Sequence, residues 1–127
     1  MTKYIVDTNV FLRFLLKDNK KYFNQAQKYF IQAKEHKITL ILLPSIVFEV
    51  DYVLKGVYSL SRKESANILS SLVKSPDLEV KERKILIETT EKYKKVNIDL
   101  VDIYLSETAK QQKAKILSFD KDFKKIK

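Results

Sequence analysis

The chain has 127 residues, no Cys, one His (His36), one Gly (Gly56) and a formal net charge of +9. Disulfides, thiolate nucleophiles and Cys-held zinc or iron–sulfur clusters are thereby excluded, as are the glycine-rich phosphate loop and the dinucleotide fingerprint. What remains is one globular domain, residues 1–127, 45% hydrophobic and basic enough to favour a polyanionic partner such as RNA.

Tyr4-Ile5-Val6 predicts a first strand, ended by Asp7-Thr8-Asn9, three residues whose side chains bond nearby backbone in turns and caps. A short apolar helix, Val10 to Leu16, follows. Tyr22, Ala26, Tyr29, Phe30 and Ala33 recur at helical spacing and predict a helix over about Lys21 to Glu35, its aromatics directed into the core rather than forming a base-stacking platform. His36, in the Lys/Glu-rich stretch that ends this helix, is expected to be solvated, which argues against a catalytic triad or a His-rich metal centre. Ile38-Thr39-Leu40-Ile41-Leu42-Leu43 has the near-continuous apolar character of a central parallel strand.

Pro44 suits the first position of a helix, where its missing N–H costs nothing, and Ile46, Val47, Val50, Val53, Leu54 and Val57 form a stripe behind it. Glu49 falls about 100° from the centre of that stripe and Asp51 on the opposite border, so helical geometry does not choose between them. Ser61-Arg62-Lys63-Glu64 has the form of a capping box opening a helix with Ala66, Ile68, Leu69, Leu72 and Val73, which Pro76-Asp77 breaks. Leu78-Glu79-Val80 predicts a short edge strand, Ile85 to Tyr93 a helix ending near Asn97, and Asp99 the opening of a helix to about Gln112. Ala114 to Phe119 predicts a last strand, from which Asp120-Lys121-Asp122-Phe123 turns away. Strands alternating with helices predict an α/β fold with a mainly parallel sheet. The longest uncharged run, Ile38 to Phe48, falls well short of the ~20 residues that span a bilayer, and Asp7 cuts the N-terminal apolar stretch too early for a signal peptide. A soluble, cytoplasmic protein without a membrane partner is expected.

Four acids, Asp7, Glu49, Asp102 and Asp120, either follow predicted buried strands or lie in the first turns of the helices after them. In an open parallel sheet such positions converge on one edge. Two carboxylates ~4 Å apart repel by roughly 4 kcal/mol at an effective dielectric of ~20, a cost that a divalent cation removes. Each acid also has a plainer reading. Asp7-Thr8-Asn9 would make a strand-to-helix cap, Asp99 a helix cap with Asp102 in its first turn, and Asp120 and Asp122 ordinary turn residues.

Taken together, Tyr4-Ile5-Val6-Asp7-Thr8-Asn9-Val10, Pro44-Ser45-Ile46-Val47-Phe48-Glu49-Val50, Asp99-Leu100-Val101-Asp102 and Ile116-Leu117-Ser118-Phe119-Asp120-Lys121-Asp122-Phe123 resemble the PIN-domain ribonucleases. The similarity is greatest to the VapC-type toxins of toxin–antitoxin pairs and runs from Tyr4 to about Phe123. It implies a PIN-like three-layer α/β/α fold with a mainly parallel sheet of four or five strands. It also implies metal-binding acids at Asp7, Glu49, Asp102 and Asp120, with Glu49 preferred over Asp51. Asn9 and Ser118 would supply a supporting amide and hydroxyl, and Asp99 and Asp122 match further, less essential acids. The implied activity is endoribonuclease cleavage leaving a 5′-phosphate and a 3′-hydroxyl. Oxygen-only ligation suits Mg²⁺ or Mn²⁺, since zinc recruits His or Cys.

The same resemblance implies a small antitoxin partner covering the site, and a homodimer, for which Phe11, Phe14, Leu15, Phe48 and Tyr52 are available apolar positions. The chain departs from the family pattern at several places. Ile103 follows the third acid where a small residue is usual, Ser118 replaces a threonine, and Gln112-Lys113 replaces a glycine, removing the usual left-handed helix terminus. No further short strand is evident before Lys127, so a fifth strand is left open. Two rival readings have definite requirements. A haloacid-dehalogenase-type phosphatase calls for a second acid two residues after the first, where Asn9 stands. A catalytically silent RNA- or protein-binding module would keep the fold and lose the chemistry.

Overall fold

The computed structural model describes residues 1–121 and Phe123. Asp122, expected as a supporting acid, lies outside the described residues. The elements are β1 (Thr2–Ile5), α1 (Thr8–Leu16), α2 (Lys20–Lys34), β2 (Ile38–Leu42), α3 (Pro44–Gly56), α4 (Arg62–Lys74), β3 (Glu79–Val80), α5 (Arg83–Tyr93) and α6 (Leu100–Gln112). The expected α/β architecture is the one observed, a parallel sheet flanked by six helices.

Strand order is β1-β2-β3, with Thr2 to Ile5 paired to Ile38 to Ile41, and Ile41 and Leu42 to Glu79 and Val80. The apolar run thus forms the central strand, and Leu40 and Leu42 are buried from it. Val6 N–H extends the ladder to the Ile41 carbonyl at 3.1 Å, and Lys81 N–H reaches Leu42 at 3.0 Å. All three strands therefore end on one edge, where α1, α3 and α5 begin.

Among the described residues the sheet has three strands rather than four or five. Ala114 to Phe119 forms no strand, and Leu117 and Phe119 are fully exposed, at 96% and 104%. An apolar run becomes a strand only when its backbone groups find a ladder partner. Among the described residues the outer edge of β1 pairs with nothing, and Ile5 on it is exposed. The helix terminus before this segment also differs from expectation. Lys113 adopts the left-handed conformation without glycine, at φ 55°, and Ala114 N–H bonds the Ala109 carbonyl at 2.8 Å.

Lys17, His36, Ser59 and Glu82 are left-handed as well, whereas Gly56 is not. A side chain in that region costs about 1–2 kcal/mol, so Lys113→Gly is expected to raise stability by about 1 kcal/mol. A Cβ on Gly56 would meet nothing within 4 Å. Gly56→Ala should then add about 0.4–1 kcal/mol by restricting the unfolded chain. Urea unfolding of the two variants checks both signs.

The capping of α4 and the start of α3 behave as the sequence predicts. Ser61 accepts the Glu64 N–H at 3.1 Å and Glu64 accepts the Ser61 N–H at 2.9 Å, and Pro44 sits in the first turn of α3. The aromatics of α2 behave otherwise. Ala26 and Ala33 are the buried residues of this helix, while Tyr22 and Tyr29 stay exposed. At 100° per residue the phenylalanines fall on one flank of the alanine stripe and the tyrosines on the other. Phe23 and Phe30 stack on Phe14 of α1 at 5.7 and 4.1 Å, and the small alanines let the two helices close on that side.

Helices α3, α4 and α5 are tied by a buried polar network. Asp51 accepts Ser65 Oγ at 2.7 Å and the Tyr93 hydroxyl at 2.9 Å, and lies 3.2 Å from Lys55 Nζ. Arg62 covers the Tyr93 ring at 3.9 Å and donates to the carbonyls of Tyr93, Val96 and Ile98. Arg83 does the same for Val73, Ser75 and Leu78. Two of the three arginines are therefore clamps for loop carbonyls.

Glu91 joins α5 to α4. Bonds from Lys74, Ser70 and Lys94 hold its carboxyl down to about 2. A carboxylate lowered on folding contributes stability in full above its ordinary value near 4.5, and loses it as pH falls toward 2. Glu91→Gln should therefore lower stability at pH 6 and flatten its decline between pH 4.5 and 2, read from urea midpoints across that window. Among the described residues no helix is long and apolar enough to cross a membrane.

Candidate functional site

Asp7 occupies the N-cap of α1, where a carboxylate ordinarily accepts an N–H of the first turn. Its side chain makes no such bond. The Asp7 backbone carbonyl takes the Val10 N–H at 3.1 Å, and the carboxylate is exposed at the sheet edge. Thr8 beside it is buried, and its hydroxyl has no hydrogen-bond partner among the described residues. Asn9 is exposed one residue further on.

Glu49 and Asp51 have opposite surroundings. Glu49 is exposed in the second turn of α3. Asp51 is 5% exposed and belongs to the network with Ser65, Tyr93 and Lys55. It lies within the buried stripe rather than on its border, because the small Ser65 and Ala66 let α4 approach that side of α3.

Asp99 is the N-cap of α6, yet its side chain makes no capping bond either, so the expected cap role falls to its carbonyl, which accepts Ile103 N–H at 3.1 Å. Asp102 is half-buried in the first turn. Ile103, the bulky residue after it, is completely buried in the core. Phe48 packs edge-on against Tyr104 at 4.9 Å, so the segment carrying Glu49 adjoins the one carrying Asp102. Asp120 and Ser118 are exposed on the segment after α6, where Ser118 Oγ accepts the Asp120 N–H at 3.0 Å.

Asp7, Glu49 and Asp102 thus lie on elements that start from the same sheet edge or pack beside it. Among the described residues, no three His, Asp or Glu side chains form a group that could hold a metal ion. The chemistry of the donors still fits a hard cation. Every candidate ligand is a carboxylate, the oxygen donor that such cations take.

Two hollows open from this edge. One of about 290 Å³ is lined by Tyr4, Ile5, Asp7, Val10 and Tyr29, and the other, about 450 Å³, by Asn9, Val10, Arg13, Tyr22, Gln25 and Tyr29. Shared Val10 and Tyr29 make them one groove along α1 and α2. Sequence reasoning missed this groove, and the available signal was the alanine spacing in α2, which leaves room beside the larger rings.

A family model described as PIN domain matches residues 4–127. No curated protein and no solved structure gives a significant match.

Proposed function

Because this chain belongs to the PIN-domain family, we propose that it is an endoribonuclease acting through a carboxylate-held Mg²⁺ or Mn²⁺, as nucleases of this family usually are. The observation that carries the reading is the Asp7 carboxylate, exposed at the strand edge and unused by the helix it precedes. Asp7, Glu49 and Asp102 would hold the ion directly or through water, with Asp120 assisting. When bound, the ion lowers the pKa of water and offsets charge on the departing oxygen. The Asn9 amide can donate to a phosphate oxygen. Asp99, Ser118 and Asp122 would act as supporting groups. The test is cleavage of total and transfer RNA by the purified protein with Mg²⁺, Mn²⁺ or EDTA. Metal-independent RNA binding without cleavage would instead favour the silent module, whose support is the open spacing of the acids.

The α1–α2 hairpin, residues 8–34, carries six basic residues against Asp18 alone. If about three of them contact phosphates of a single strand, affinity should fall roughly 20-fold between 50 and 200 mM salt. A flat titration would remove the phosphate-dominated mode.

We further propose that the chain works in the cytoplasm, as a single domain, as the toxin of a toxin–antitoxin pair. A hollow of about 600 Å³ between α1, α2 and α4, with Phe14, Leu15, Phe30, Ile31, Ile68 and Leu72 in its walls, suits the apolar face of a small antitoxin's segment. Ile68→Arg should then relieve inhibition by the co-expressed antitoxin, and unchanged inhibition would place that partner elsewhere. Tyr52, 74% exposed, supports a homodimer contact. Sedimentation showing only monomer at micromolar concentration would end that part of the proposal.

A further inference from the structure

We infer that the groove along α1 and α2 is a channel for single-stranded RNA, in which unpaired bases stack on Tyr29 and Tyr22 and the backbone follows Arg13 and the hairpin lysines toward Asp7. The direction of travel rests on the nuclease reading above. The stacking surface itself rests on the groove.

Position is the first support. Asp7 lines the smaller hollow and Asn9 the larger, and Tyr29 lines both. The rings are also open to solvent. Tyr4, Tyr22 and Tyr29 are 41%, 47% and 44% exposed, although α2 is anchored by phenylalanines on its other flank. Tyr4 meets Tyr29 in a T-shaped contact at 5.4 Å, and Tyr29 stays 44% exposed beside it. Arg13 lies 5.4 Å from the Tyr22 ring, adding a cation beside a stacking face.

Charge agrees with a polyanion. The hairpin's one acid, Asp18, is engaged by Arg13 at 3.3 Å and by the Tyr58 hydroxyl at 2.8 Å, which leaves the five hairpin lysines as its net positive charge. Gln25 and Asn9 place amides on the groove wall, each able to donate to and accept from a base edge. An unpaired base offers a ring face to an aromatic side chain, whereas a duplex hides it. Bases of any identity can use such a surface, so the expected selectivity is for strandedness, with modest preference among bases.

The test measures binding, in EDTA so that nothing is cleaved, of short poly(U) and poly(A) strands and of their duplex to the full chain and to Tyr22→Ala, Tyr29→Ala and Tyr29→Phe. The chain has no Trp and seven Tyr, so stacking on Tyr22 and Tyr29 is read as the part of the emission quench that their alanine variants lose. Single strands should bind at least tenfold tighter than duplex and quench that emission. Each alanine variant should lose roughly ten- to a hundredfold in single-strand affinity, with Phe retaining most of it and melting unchanged. Equal affinities for wild type and Tyr29→Ala would overturn the proposal, as would a loss of self-association in Tyr29→Ala with RNA affinity intact, which would assign the groove to a second copy. The outcomes separate from those at Asp7. Tyrosine variants that lose RNA while Asp7→Asn still cleaves would retain the channel and reject the nuclease site. An inactive Asp7→Asn beside tyrosine variants that bind normally would do the reverse.

Discussion

Asp7→Asn is expected to lower metal-dependent RNA cleavage by about 10²- to 10³-fold, the usual effect of removing one group that stabilises charge in the transition state. The amide keeps the size of the side chain and loses the charge that would hold the cation. Melting should not change, because the Asp7 side chain is exposed and makes no capping bond. The alternative role predicts the opposite pattern. A carboxylate that served only as a cap would cost about 0.5–2 kcal/mol of stability on replacement by alanine and leave cleavage intact. Asp7→Ala, measured for both rate and melting, separates the two. Unchanged cleavage in either variant would remove Asp7 from the chemistry.

Glu49 and Asp51 should dissociate activity from stability. Asp51→Ala is expected to cost about 3–5 kcal/mol, since it leaves the Lys55 ammonium, the Tyr93 hydroxyl and Ser65 Oγ without the carboxylate they share. Asp51→Asn keeps the size and some of the bonds and should fall between. Glu49→Gln, on an exposed position, should melt within about 0.5 kcal/mol of wild type and lose cleavage. Paired urea unfolding and RNA cleavage on the three variants tests this. Wild-type stability for Asp51→Ala would contradict the network, and full cleavage by Glu49→Gln would return the choice of ligand to open.

The sequence could not choose between these two acids for a geometric reason. They sit symmetrically about the apolar stripe of α3, and the partner that distinguishes them, Tyr93, is 42 residues away. Local chemistry was legible at some elements and not at the caps expected from Asp7 and Asp99. The Ser61/Glu64 capping box, Pro44 at the start of α3 and the apolar run of β2 follow from interactions within a few residues. The last strand was not, since Ala114 to Phe119 has the apolar character of a strand but its pairing depends on an edge brought from the other end of the chain. The tyrosines of α2 show the limit of periodicity, which identifies a face and not how closely the neighbouring helix approaches it. For the metal site, spacing could indicate which elements reach the sheet edge. How near their carboxylates come to one another depends on helix packing that no local pattern encodes.

Among the described residues the outer edge of β1 is unpaired and the apolar segment after α6 is exposed, so one molecule offers both an open ladder edge and a segment of strand-like composition. If the segment of one molecule paired with the β1 edge of the next, each addition would regenerate a free donor and a free acceptor, the condition for open-ended growth rather than ring closure. A protein that paired in this way would be, in the language of polymer chemistry, a bifunctional monomer. Its association would lengthen chains with concentration, and a copy truncated before Ala114 would act as a chain terminator.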